Sequence, residues 1–265
     1  MPIQDTLLKF SRKEVGPNEV MRALCEHDGY FAPAVFAVTA TKSEVYDRAS
    51  LWGAESKVRP GHLYLFTDRA AADAAAAKVQ LGPYVSPVLG SLLLRALPGG
   101  VQELHVNPGS PKEQGWWMAG DALPIASLWG QAVALEQALS GKRDADVVTE
   151  LLEFPGFVAY DTANGVIATL TNAGGLKNPG MLFTSIDCAE VALAKFGEQA
   201  KGLKRVVLSG AQIFNAFAKL GVDGFLINPF GPGPVKIFDA ALCSSMAAAA
   251  SARAAAAAAA HKAET

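Results

Sequence analysis

The sequence predicts an α/β (α+β) chain: two similar mixed-sheet domains with flanking helices, joined by a helical linker. Three observations carry that prediction. "GVQELHVNPGSP" (Gly100–Pro111) and "GVDGFLINPFGP" (Gly221–Pro232) each lead from Gly-Val through an apolar run to Asn-Pro, with Gly and Pro following. Upstream, "PGHLYLFTDRAAADAAAAKV" (Pro60–Val79) parallels "PGMLFTSIDCAEVALAKF" (Pro179–Phe196): Pro-Gly, a short apolar run containing Leu-Phe-Thr, then a helical pattern. Between these landmarks, "SPVLGSLLLRAL" corresponds to "RVVLSGAQIFNAFAKL", strand then glycine then helix. Phe66 to Asn107 spans 41 positions and Phe183 to Asn228 spans 45, so the two series differ only by a few loop residues. Self-similarity at this scale marks an internal duplication.

The elements follow in order. Residues 1–28 form an N-terminal helical segment in which "GPNEVMRALCEHD" is a helix beginning at Pro17 or Asn18. The first domain, 29–120, starts with strand-like "YFAPAVFAV" and continues with the strand "LYLF" and the alternating "VQELHV". In 121–152, Pro124 to Gly141 reads as a linking helix with Leu128, Ala132, Leu135 and Leu139 on one stripe, and "DADVVTELLEF" as a second, short helix. The second domain, 153–245, opens with the strand "GFVAYD". Its first helix has capping-box spacing at Asp187 and Glu190, its second at Ser209 and Gln212. Ile213, Phe217 and Leu220 then form an apolar stripe that Gly221 terminates. The alanine-rich tail, 246–265, has high helix propensity and few side chains with which to pack, so it is expected as a solvated extension.

Composition narrows the function. With 51% hydrophobic and 18% charged residues the chain is globular, and a net charge of −2 supplies no general basic field for nucleic acid or a membrane surface. The first thirty residues interleave charge with apolar positions and hold no signal-like core, which predicts a cytoplasmic protein. Cys25, Cys188 and Cys243 are far apart and odd in number, so reduced, buried thiols are expected, with no metal site and no cofactor.

Catalytic equipment is not evident. The four histidines stand at no metalloprotease spacing, and no nucleophile elbow or P-loop lysine motif is present. His105 lies two residues from Glu103 on one strand face, as a proton-transfer pair or a solvated surface. "NAGGLKNPG" (Asn172–Gly180) reads as a loop. Asn107, Pro108, Asn228 and Pro229 end strands, where turn chemistry explains them, yet strand ends are also where α/β sheets bind ligands. Trp116 and Trp117 are adjacent, so in a strand one of them faces outward and offers a contact. Asn107, Pro108, Trp116, Trp117, Asn228, Pro229 and Phe230 are therefore the candidate binding residues, and no residue is assigned to catalysis.

The ordered run "LFTSIDCAEVAL … RVVLSGAQIFNAFAKLGVDGFLINPFGPGP" resembles the N-terminal domain of the bacterial SseB family, and Gly29–Pro111 resembles it less closely. The chain departs from the family's usual architecture, since its second half repeats the first. The resemblance implies no catalytic residues, because the family has no established catalytic activity. The resulting expectation is a non-enzymatic protein-binding or regulatory module with an unidentified protein partner. The alternative is a small-ligand sensor or enzyme with its site in the crevice between the repeats.

Overall fold

The computed structural model of the chain describes residues 2–31, 62–79, 87–97, 101–108, 115–162 and 164–264. They form an α/β protein with two units, Met1–Ala134 and Leu135–Thr265.

Unit 1 starts with two helices, α1 (Ile3–Ser11) and α2 (Pro17–Glu26). The second begins as its sequence requires, with Pro17 in the first turn and the Glu19 carboxylate accepting from Gly16 N at 3.1 Å. The first lies within the helical segment expected at 1–28 but was not delimited there: it buries only Ile3, Thr6 and Leu7 among charged neighbours, too narrow a stripe to stand out by period. Strand β1 (His62–Leu65) pairs in parallel with β2 (Glu103–Val106), and β2 pairs antiparallel with β3 (Trp116–Ala119). Helices α3 (Arg69–Val79) and α4 (Gly90–Arg95) lie in the β1-to-β2 connection, and α5 (Ala122–Leu139) follows β3. Leu24, Tyr30, Leu65, Leu94, Leu104 and Trp129 belong to one core. The strand read at 32–38 and the Gly-Pro turn at 109–111 lie outside the described residues.

In unit 2, α6 (Val147–Glu153) is capped by Asp146, whose Oδ1 accepts from Val148 N at 3.1 Å. Strand β4 (Phe157–Asp161) pairs antiparallel with β6 (Lys204–Leu208), while β5 (Gly180–Leu182) runs parallel to β7 (Gly224–Ile227), which pairs antiparallel with β8 (Lys236–Asp239). Helix α7 (Ile186–Phe196) follows β5, α8 (Gly210–Leu220) follows β6, and α9 (Ala240–Glu264) ends the chain. Phe214 packs against Phe225 at 5.1 Å between ring centres, and Val158, Met181 and Phe183 form a neighbouring cluster.

The same connections recur in both units. Tyr30 and Phe31 bridge to Val88 and Phe66 as Phe157 and Val158 do to Leu208 and Phe183. Gly90 N donates to His27 O at 3.0 Å and Gly210 N to Phe154 O at 2.8 Å. Both glycines sit where a helix start touches a preceding helix: an added Cβ would meet Leu24 O at 2.2 Å and Leu151 O at 2.0 Å. A helix pair thus precedes the sheet strands in sequence each time, α1 and α2 in unit 1 and α5 and α6 before the strands of unit 2.

Two expectations change. Helix α7 starts at Ile186 with Ser185 before it, and Asp187 accepts from the Ser185 hydroxyl instead of capping the helix itself. The alanine-rich tail is not wholly solvated, because α9 begins at Ala240 and buries Cys243, Met246, Ala247 and Ala250. Alanine's small side chain is the reason: it permits close helix approach, and Ser251 and Arg253 add hydrogen bonds to Asn215 and Glu153 at 3.1 and 3.3 Å. The ends read for α8 hold, with Ser209 and Gln212 forming the capping box and Gly221 taking φ 64°, while α5 starts at Ala122, ahead of the Pro124 read as its first turn. Cys25, Cys188 and Cys243 are buried thiols. Among the described residues, no helix is long and apolar enough to cross a membrane.

Candidate functional site

The two Asn-Pro motifs do the same work in their own units. Asn107 and Asn228 follow the parallel strands β2 and β7 in the left-handed region, at φ 46° and 51°, a conformation Asn tolerates better than other side-chain-bearing residues. Each backbone N–H extends the parallel ladder, to Leu65 O at 2.9 Å and Leu182 O at 2.8 Å. Each Oδ1 accepts from the backbone N–H of a threonine, Thr67 or Thr184, at 2.9 Å in both cases. Each Nδ2 donates to that threonine's hydroxyl, at 2.8 and 2.9 Å. The side chain thus clamps the end of one strand to the end of its neighbour. A third group completes each clamp: Gln4 Nε2 donates to Thr67 Oγ1 at 3.0 Å, whereas Thr184 donates to the Glu136 carboxylate. A hydroxyl rotor serves either polarity.

Asn107 is 5% exposed and Asn228 0%, Pro108 is half-buried and Pro229 buried. In unit 2, "FGPGP" folds back over the clamp, with Gly231 N donating to Asn228 O at 3.1 Å. At Gly233 an added Cβ would lie 2.5 Å from Asn228 Nδ2 and 3.0 Å from Glu136 Oε1, so only glycine fits. Glu136 is 5% exposed and was not expected; its one sequence signal is an acid inside the apolar run "AVALEQAL". Phe230, at φ 67°, is 47% exposed, with its ring edge-on to Phe196 at 5.6 Å and Lys195 Nζ 5.7 Å away.

Unit 1 carries the more chemically varied surface. Strand alternation puts His62 and Tyr64 of β1, Glu103 and His105 of β2, and Trp117 and Ala119 of β3 on one face. The register sets His62 beside Glu103, and Tyr64 beside His105 beside Trp117. Three ligand-type atoms converge: His62 Nδ1 is 3.2 Å from His105 Nε2, His105 Nε2 is 3.0 Å from Glu103 Oε2, and His62 Nδ1 is 3.4 Å from Glu103 Oε2. The rings are stacked, His62 on His105 at 5.3 Å and 12°, and Tyr64 on His105 at 5.0 Å and 22°. Trp117 is 64% exposed, while its neighbour Trp116 turns inward against Phe10 at 5.0 Å.

No family model and no curated protein sequence matches the chain. The site is therefore read from its own geometry. Of the sequence-derived candidates, Trp117 stands on the His-Glu-His face, Trp116 packs below it, and each Asn-Pro pair is taken up inside its own unit. Missed by sequence was His62, because its relation to Glu103 depends on a parallel pairing across forty intervening residues. The Glu103–His105 pair was legible from alternation alone.

Proposed function

We propose that the chain is a cytoplasmic, non-enzymatic protein-binding or regulatory module made of two SseB-like copies. The matching strand order and the matching Thr–Asn clamps support the duplication. Its Asn-Pro motifs are engaged with the chain's own backbone, which accounts for them without substrate chemistry. Trp117 carries the binding reading: a large aromatic held outward on a sheet face loses little conformational entropy on contact and suits a recognition anchor. Phe230 supplies a second exposed aromatic in the other unit.

Affinity capture of the full-length protein from its native cytoplasm tests this, with Trp117→Ala and Phe230→Ala run beside the parent. The expected result is a protein recovered with the parent and lost with Trp117→Ala, whose circular dichroism stays unchanged. Equal recovery with both variants would count against these aromatics as the recognition surface.

A further inference from the structure

We infer that His62, Glu103 and His105 form a binding site for a divalent first-row transition metal, with zinc the leading ion. Two imidazoles and one carboxylate are a donor set that such ions favour, and three protein ligands with an open position is the arrangement of accessible zinc sites. Donors about 2.0–2.2 Å from a tetrahedral ion stand about 3.3–3.6 Å from one another, and about 2.8–3.1 Å around an octahedral one. The observed separations of 3.0, 3.2 and 3.4 Å fall across that interval, so all three atoms can reach a common ion with shifts of a few tenths of an ångström.

Preorganisation supports the same conclusion. The donors project from two paired strands in fixed register, and the Tyr64–His105–His62 stack restricts both imidazole planes. Access is available from one side: the His62 side chain is 9% exposed, while those of His105 and Glu103 are 22% and 32% exposed.

The fold does not require these residues. Counting back from Thr184 as from Thr67 on the first strand, and from Asn228 as from Asn107 on the second, unit 2 carries Pro179, Gly224 and Leu226 where unit 1 carries His62, Glu103 and His105. There Leu176 fills the place beside Gly224, an added Cβ at Gly224 lying 2.6 Å from its Cδ1. An apolar solution to the same sheet face is thus present in the same chain.

The test is calorimetric titration of untagged, metal-stripped full-length protein with Zn2+, repeated for His62→Gln, His105→Gln, Glu103→Gln and, as a control in the C-terminal helix α9, His261→Gln. One equivalent should bind, and loss of either face histidine should weaken binding by roughly 100-fold or more, beyond the 10–100-fold typical of outer-shell changes. His261→Gln should bind as the parent does. Replacing Zn2+ by Co2+ should give visible absorption characteristic of four- or five-coordination in the parent, lost in the His105→Gln protein. Glu103→Gln, at a partly exposed position, keeps the test valid should a histidine variant misfold. Absence of stoichiometric binding by the parent, or binding unchanged in folded Glu103→Gln and His105→Gln, would overturn the inference.

Discussion

Replacing Asn228 with alanine discriminates a strand-end clamp from a surface recognition group. The Asn228 side chain makes two bonds that alanine cannot: Oδ1 with Thr184 N, and Nδ2 with Thr184 Oγ1, both at 2.9 Å. The Thr184 hydroxyl proton is directed to Glu136, so the 3.2 Å approach of that hydroxyl to Oδ1 adds no full third bond. Stranding a buried N–H costs about 1–3 kcal/mol and losing the second bond about 1 kcal/mol. Holding alanine at φ 51° adds roughly 1 kcal/mol. The sum is about 3–5 kcal/mol, a large share of the roughly 5–15 kcal/mol that keeps a domain folded. Asn228→Gly, free of the backbone penalty, should recover about 1 kcal/mol of it. All four tryptophans lie before residue 135, so their fluorescence follows unit 1, while circular dichroism follows both units. In urea, Asn228→Ala should shift the dichroism transition to lower denaturant, and Asn107→Ala the fluorescence transition. Should either alanine variant stay within about 1 kcal/mol of the parent, the clamp is refuted, and these side chains return to candidacy as recognition groups.

Other expectations are independent of the clamp. Gly90→Ala and Gly210→Ala should each destabilise by about 2–3 kcal/mol through overpacking against the Leu24 and Leu151 carbonyls, opposite in sign to the roughly 1 kcal/mol gain of the same change in an open helix; a raised melting temperature in either would refute the close approach. Burial holds the His27 imidazole below its usual pKa against hydrogen bonding to Gly29 and the charge of Asp28, and its Nε2 has no hydrogen-bond partner among the described residues. The folded state therefore binds fewer protons than the unfolded one, so His27's contribution is intact above the ordinary value of about 6.5 and declines as pH falls from there through the lower folded value. Thermal melts between pH 7.5 and 5.5 should show that loss in the parent and a shallower one in His27→Gln; identical slopes would remove His27 as the cause. Gly221→Ala should cost about 1 kcal/mol, measured by dichroism in urea, because its φ of 64° is left-handed with open space around it.

How much was legible in sequence follows from the range of the interactions concerned. Helix ends set by local chemistry, such as Ser209 with Gln212 and Gly221, were readable because cap and signal lie within one turn. The matching order of elements in the two units was readable because both keep Phe-Thr and Asn-Pro. The partnership of those two motifs was not: Thr67 and Asn107 meet only after β1 and β2 pair, and neither local propensity nor period encodes that pairing. Helix α9 escaped for a related reason, since a run of alanines carries no stripe by which a packed face can be distinguished from a free one.

The two units together separate what the fold needs from what one unit adds. Threonine and asparagine occupy the clamp in both, and glycine stands at both tight helix starts; these positions are explained by backbone satisfaction and by sterics. The sheet face beside the clamp obeys no such common rule. Unit 2 closes it with Leu176, Leu226 and Ile237, the last at 2.9 Å from the position a Cβ would take at Gly174. Unit 1 places two imidazoles, a carboxylate and an outward tryptophan on the equivalent positions. Burying polar groups where an apolar set also satisfies the backbone sacrifices hydrophobic stabilisation and requires each group to find a partner. Of the three, His62 is buried while Glu103 and His105 are half-buried, and a metal ion would engage all of them at once, with Trp117 beside them on the neighbouring strand. The face of unit 1 is accordingly where a ligand or partner should be sought first, ahead of the Asn-Pro turns that make the sequence conspicuous.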